Sequence, residues 1–272
     1  MRHPESEWDN HLQVYCCPAC RGDLAASQDR LQCGACNTIY RREEGSFNFA
    51  PEIPRRSVET QPSQGQRWME EPDKVKNYEA KHRVHYVRTM GKTRFRSFTP
   101  DVEDAYLIAN VDPISDGRIL DVACGTGRWT RTLVERIGPD RVIGFDLSCA
   151  MLALARGRLP STTLVRGSAL NLPFEDDSLG AINCWNAIQA LPDPQRAILE
   201  MGRVLKPGGT FTCLTYLTSP GPYRLIQAIL QRCIGSIVVK RSVFFRWIEA
   251  ADLTVQNEMT VGQVLMLTAR RR

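Results

Sequence analysis

The run Ile119-Leu-Asp-Val-Ala-Cys-Gly-Thr-Gly127 constrains this chain more than any other stretch. It is an apolar strand that ends near an acid and turns at once through two glycines. Such a turn lets bare backbone approach a ligand, and the helix that follows offers free N–H groups. Twenty-five positions beyond Asp121, a second apolar strand, Val142-Ile-Gly-Phe-Asp146, also ends in an acid. An acid about 20 residues past the glycine turn accepts both hydroxyls of a ribose. The two strands predict a βαβ unit that holds a nucleoside-carrying cofactor.

What is missing narrows the cofactor. The dinucleotide fingerprint needs a third glycine three residues after the second, and Thr130 stands there. No Lys-Ser or Lys-Thr follows the glycines, so the phosphate-loop pattern fails as well. With Asp121, Gly125, Gly127, Asp146 and the later Leu205-Lys-Pro-Gly-Gly209, the chain resembles the class I S-adenosylmethionine-dependent methyltransferases from about Ile119 to Thr215. The resemblance implies a doubly wound, Rossmann-like α/β fold with a seven-stranded sheet ending in an antiparallel hairpin.

Carried over residue by residue, the resemblance also implies a cofactor site. Ala123, Gly125 and Gly127 would bring backbone to the methionine part of S-adenosylmethionine. Asp121 would set a negative charge near its ammonium and sulfonium end. Asp146 would accept the ribose hydroxyls, and Leu147 and Met151 would cover the adenine. Ser168, beside Ala169, stands where the family usually has an acid for the adenine amino group; a hydroxyl accepts that bond more weakly. Asn186 would line the methionine moiety, with Trp185 and Gln189 beside it toward the substrate.

Cysteine spacing defines a second feature. Cys17-Pro-Ala-Cys20 and Cys33-Gly-Ala-Cys36 are two C-x-x-C knuckles twelve residues apart. Two such knuckles complete a closed tetrahedral zinc site, and four thiolates leave no position for substrate, so the zinc is expected to be structural. The five cysteines from Cys124 to Cys233 sit in apolar surroundings and are expected to be buried.

The organisation then reads as a zinc ribbon over residues 1–49, a proline-containing linker over 50–66, a helical cap over 67–112 and a methyltransferase domain over 113–272, with an insertion over the substrate at about 218–243. The N-terminus has no apolar core of a signal peptide, and no apolar stretch is long enough to span a bilayer, which leads to the expectation of a cytoplasmic protein.

Methyl transfer asks mainly for alignment of the reacting atoms, yet a base helps when the acceptor is a phenol, enol or protonated amine. All four histidines precede the glycine turn. A helix over Asp73–Met90 would put Tyr78, His82, His85, Tyr86 and Met90 on one face. Tyr78 is expected to border the cofactor, and His82, His85 and Tyr86 to approach the acceptor; ordinary packing explains the same periodicity. From Lys74 to Phe98 eight Lys/Arg face one acid, a net +7 against +5 for the whole chain. That excess fits either a solvated face or an anionic acceptor.

The reading that follows is transfer to a small molecule, in natural-product or quinone-like metabolism. The alternatives are an rRNA guanine methyltransferase that grips RNA with its ribbon, and a non-catalytic partner that keeps the fold. The absence of an interleaved aromatic and basic patch on the ribbon weighs against RNA.

Overall fold

The structure, a computed structural model, describes residues 13–27, 30–43, 46–50, 64–91, 98–111, 117–218 and 236–272. The central strands are β5 (Ile119–Val122), β6 (Val142–Asp146), β7 (Thr163–Arg166), β8 (Leu179–Trp185) and β9 (Leu205–Tyr216). All four residues of β5 and all seven of β8 are buried. Parallel strands covered on both faces read as such near-continuous apolar runs. β5 pairs in parallel with β6 on one side and β8 on the other, while β7 and β9 extend the two flanks. β10 (Leu253–Val261) and β11 (Val264–Arg271) form the expected terminal hairpin, with β11 antiparallel to β9.

Helices cover this sheet. α5 (Arg128–Ile137) leaves Gly127, and α6 (Cys149–Arg158) starts where the Ser148 hydroxyl accepts from Met151 N at 3.1 Å. α7 (Pro194–Val204) starts at Asp193, with proline at its first position. α8 (Arg241–Ala250) precedes the final hairpin.

The N-terminal segment is joined to the sheet more closely than its cysteine spacing indicates. It contains β1 (Leu24–Ser27), β2 (Arg30–Cys33), β3 (Ile39–Glu43) and β4 (Ser46–Asn48). β4 pairs in parallel with β7, so the sheet holds 11 strands in the order β1-β2-β3-β4-β7-β6-β5-β8-β9-β11-β10. The last seven are the expected methyltransferase strands; the ribbon lengthens the sheet. A bridge between Tyr15 and Phe174 and the bond from Cys16 N to Pro173 O (3.1 Å) add to the seam. Tyr15 packs on Phe47, Phe49 and Phe174 with ring centroids 5.2–5.8 Å apart. Beside it, Glu200 accepts from both Arg21 and Arg203; burial opposes ionisation there, but the two guanidiniums overcome it and hold the carboxyl below its usual range.

Before the catalytic strands come α1 (Gln64–Met69), α2 (Pro72–Val75), a π-helical segment (Tyr78–Arg83), α3 (Val84–Met90) and α4 (Pro100–Asn110). The single helix expected over Asp73–Met90 is therefore corrected. The chain breaks after α2, and the wider π turn shifts the residues beyond it around the axis. Residues 51–63 of the expected linker and 219–235 of the expected insertion lie outside the described residues; 64–66 are already helical. Cys149 is exposed, contrary to expectation, because it opens α6 on its outer side; Cys233 lies outside the described residues.

Candidate active site

In a parallel sheet, a crevice opens where strand order reverses, at the carboxyl ends of the two strands that part. Here that point lies between β5 and β8. A cavity of about 960 Å³ occupies it, bounded by the loops after β5, β6, β7 and β8 and by the cap.

The sheet side of the cavity is built from backbone. The Asp146 carboxylate, at the end of β6, accepts from Gly125 N at 2.8 Å and from Ser148 N at 2.9 Å. A carboxylate has about four acceptor sites, so lone pairs remain for two ligand hydroxyls. Burial pushes the Asp146 carboxyl up from its usual range, against the pull of those two N–H groups. Gly125 has φ +57°, and a Cβ built on it points to open space with only Met151 Sδ as near as 4.0 Å. Any side chain there would fill the cradle. Ala123 (φ 56°) and Asn186 (φ 60°) hold the same left-handed conformation without being glycine, at the ends of β5 and β8. Such strained residues cluster at binding sites. Leu147, Met151, Ser168 and Ala169 complete this side. The Ser168 hydroxyl accepts from Leu170 N at 3.3 Å. These groups fit an adenosyl ligand: a carboxylate for the ribose, apolar side chains for the ring, and open backbone beside Gly125.

Two expected cofactor residues are not on the wall. Asp121 is buried below it, accepting from Thr130 Oγ1 at 2.5 Å and Asn183 Nδ2 at 2.6 Å. Burial raises its carboxyl to about 6, more than those two bonds lower it. Its position is that of a brace under the glycine turn. Gly127 (φ +81°) faces α6, where a Cβ would come within 2.7 Å of Leu159 Cδ1. It therefore allows close helix packing, the task that the third glycine performs in dinucleotide folds.

The opposite side is aromatic and cationic. Trp129 and Trp185 lie 6.3 Å apart between ring centroids, and both line the cavity. The Arg83 and Arg128 guanidiniums sit 5.0 and 5.5 Å from the Trp129 ring. Arg83 Nη1 donates to Glu103 at 2.7 Å, with both side chains buried, and Arg128 donates to both oxygens of Asp104. These pairs fasten the π-helical segment and α5 to α4. Burial outweighs Arg83 and Arg128 and raises the Glu103 carboxyl to about 7.

Tyr78, Lys81 and His85 reach the cavity from the cap. The side chains of His82 and Tyr86 lie outside the described residues, and Met90 is buried in the core. Gln189 borders the cavity, but its amide is engaged by Asn186 O (2.9 Å) and Thr215 Oγ1 (3.2 Å). Lys81, Arg83 and Trp129 were not expected as site residues. The cationic run around Lys81 and Arg83 was the one signal that pointed to those two, and none pointed to Trp129.

Away from the cavity, the Sγ atoms of Cys17, Cys20, Cys33 and Cys36 all lie within 4.8 Å of one another. A tetrahedral ion with Zn–S near 2.3 Å spaces its sulfurs at about 3.8 Å, and the pairs Cys17–Cys36 and Cys20–Cys33 stand at 3.6 and 3.4 Å. The donor set fits zinc. Tyr40 Oη lies 3.1 Å from Cys17 Sγ, and Thr38 Oγ1 lies 3.1 Å from Cys36 Sγ.

Residues 119–209 match a family described as a methyltransferase domain. The chain is 35% identical over 138 residues to a demethylmenaquinone methyltransferase of Lactiplantibacillus plantarum, covering 48% of this chain and 57% of that protein. It is 30% identical over 165 residues to the protein of that name from Staphylococcus epidermidis, covering 57% of this chain and 68% of the relative. The chain thus spans between just over half and two thirds of these relatives' length. Among solved structures, a geranyl diphosphate C-methyltransferase from Streptomyces coelicolor superposes with a TM-score of 0.61 at 16% identity, covering 79% of this chain and all of that one. A chain from the complex between the Haloferax volcanii Trm112 methyltransferase activator and a methyltransferase gives 0.57 at 19% identity, covering 72% and 96%. These two likenesses support the fold.

Proposed function

Since this chain belongs to the class I S-adenosylmethionine-dependent methyltransferases, we propose that it methylates a small-molecule acceptor held between the sheet and the cap. One observation carries the reading. A single cavity joins the Asp146–Gly125 cradle to the Trp129–Trp185 wall, with room for a cofactor and a modest second molecule. The demethylmenaquinone methyltransferases support a small acceptor by name.

S-adenosylmethionine, when bound, supplies an electrophilic methyl whose carbon–sulfur bond breaks as the acceptor bonds to carbon, the electron pair remaining on sulfur. Asp146 holds the ribose hydroxyls, and Leu147 and Met151 cover the adenine. Ser168 meets its edge, and Asn186 orients the methionine part. Asp121 keeps the glycine turn in shape from below. The aromatic wall excludes water and aligns the acceptor. His85, exposed on the cavity's cap side, takes the acceptor's proton where one must leave.

The four cysteines hold a structural zinc whose ribbon, through β4, supports the strand that leads into Ser168. Elemental analysis of the purified protein is expected to find one zinc per chain; replacing Cys33 by Ser should remove it and lower the melting temperature. Among the described residues no helix is long and apolar enough to cross a membrane.

Methyl-labelled cofactor incubated with the protein and separate small-molecule and RNA fractions tests the reading. Label is expected in the small-molecule fraction. Label confined to RNA would replace this proposal with the RNA alternative.

A further inference from the structure

The cavity's two sides differ in charge. Among the described residues its lining acids are Asp146 and Glu70, and the Glu70 charge helps raise the Asp146 carboxyl, so both belong to the cofactor side. Lys81, Arg83 and His85 line the cap side, where no acid lines the wall among the described residues. Arg83 is locked in place by Glu103 and by its stacking on Trp129, so its charge is fixed rather than adjustable.

The same side also holds buried donors without partners among the described residues. The indole N–H groups of Trp129 and Trp185 and the hydroxyl of Ser236 belong to side chains at least nine-tenths buried that line this cavity. None of the three has a hydrogen-bond partner among the described residues. Buried donors without a partner are rare and costly in native proteins. Two of the three donate only, since an indole nitrogen cannot accept. A ligand that satisfies the indoles must bring hydrogen-bond acceptors, which carboxylate oxygens supply.

The shape of the wall adds the last element. Trp129 and Trp185 meet at 55°, and Trp68 and Tyr78 form an edge contact with centroids 6.2 Å apart; all four line the cavity. Walls of this kind favour a flat, conjugated ligand over a flexible polar one.

We propose that the acceptor is an aromatic carboxylate, its ring set against the Trp129–Trp185 wall and its anionic oxygens toward Lys81 and Arg83. This rests on the methyltransferase reading and narrows it. A neutral hydrocarbon ring would bring no acceptor to the buried indole donors, and an aromatic amine would set a positive charge against Lys81 and Arg83. Arg83 and the indoles are fixed parts of the wall. Lys81, which is exposed, completes the anion site at its mouth.

Calorimetry on the full chain tests this with three probes of one shape and different charge. The protein is first titrated with S-adenosylhomocysteine and then, with that compound saturating, with naphthoate, naphthamide and naphthylmethylamine. Naphthoate is expected to bind at least about tenfold more tightly than the amide, with the ammonium probe weakest. In Lys81→Met the gap between carboxylate and amide should shrink to about threefold or less, with the S-adenosylhomocysteine titration confirming that the variant is folded. Equal or tighter binding of the amide or the amine overturns the proposal. So does failure of all three probes in protein that binds S-adenosylhomocysteine. Failure to bind S-adenosylhomocysteine itself would remove the reading beneath it, a distinct result.

Discussion

The two sides of the cavity are made in different ways. The cofactor side consists of turns at the ends of parallel strands, where Asp146 grips Gly125 N and Ser148 N within one βαβ unit. The acceptor side is assembled from the π-helical segment, α3, α5 and the end of β8, held by ion pairs such as Arg83–Glu103 and Arg128–Asp104. The first is fixed by short-range backbone geometry. The second depends on side chains that meet only after the cap has docked. On the function proposed above, the fold separates two tasks, holding the methyl donor and choosing what receives the methyl.

Several substitutions would sharpen or break this division. The largest effect is expected from Asp146→Ala. Losing two charge-assisted bonds to a ribose should weaken S-adenosylhomocysteine binding on the order of a hundredfold or more by calorimetry. On the other side, Glu103→Ala leaves the Arg83 charge buried without its carboxylate. It should cost about 3–5 kcal/mol in a denaturant titration, while folded protein keeps most of its cofactor affinity. A large loss of cofactor affinity in folded Glu103→Ala would show that the sides are not separable.

The exposed His85 tests the acceptor side by rate. His85→Ala should lower turnover about 10²-fold, with cofactor binding unchanged. Unaltered turnover would remove the histidine from the chemistry.

The two glycines of the turn make a finer contrast within the cofactor side. Gly127→Ala drives a Cβ toward Leu159 and is expected to cost about 1–3 kcal/mol of stability. Gly125→Ala should cost about 1 kcal/mol yet weaken cofactor binding more, since its Cβ meets open cavity. Equal effects on both properties would contradict the separate tasks assigned to them.

A last effect concerns pH. The Asp121 carboxyl stands at about 6 in the fold against 3.8 in the free residue. The native state therefore holds this proton more tightly than the unfolded chain. Stability from this group is greatest below the free value and is lost as pH rises through about 6. Glu103, raised from 4.5 to about 7, acts in the same direction. Unfolding free energy should thus decline across this window, and Asp121→Asn should remove part of the slope. An unchanged slope would separate Asp121 from it.

The same division explains what the amino-acid sequence revealed. Ile119–Gly127, the acid ending β6 and the two C-x-x-C knuckles are local patterns whose residues lie within a turn or two of what they hold. Strand and helix order from β5 to the final hairpin followed from the same local signals. The seam between β4 and β7 was hidden, because pairing Phe47 with Val165 joins remote segments through backbone alone. Asp121 and Gly127 were assigned to the ligand by motif position, while Thr130, Asn183 and Leu159 decide where they face. On the acceptor side, helical counting failed once the π turn changed the residues per turn. Trp129 carried no pattern at all; its role emerges only from the stacked arginines and from Trp185 across the cavity.

A crystal structure of the protein with S-adenosylhomocysteine would test the two-sided cavity most directly. Both ribose hydroxyls are expected on the Asp146 carboxylate, the adenine against Leu147 and Met151, and the sulfur turned toward Trp129 and Trp185. An adenosyl group lying instead against Lys81 and Arg83, with Asp146 untouched, would contradict it.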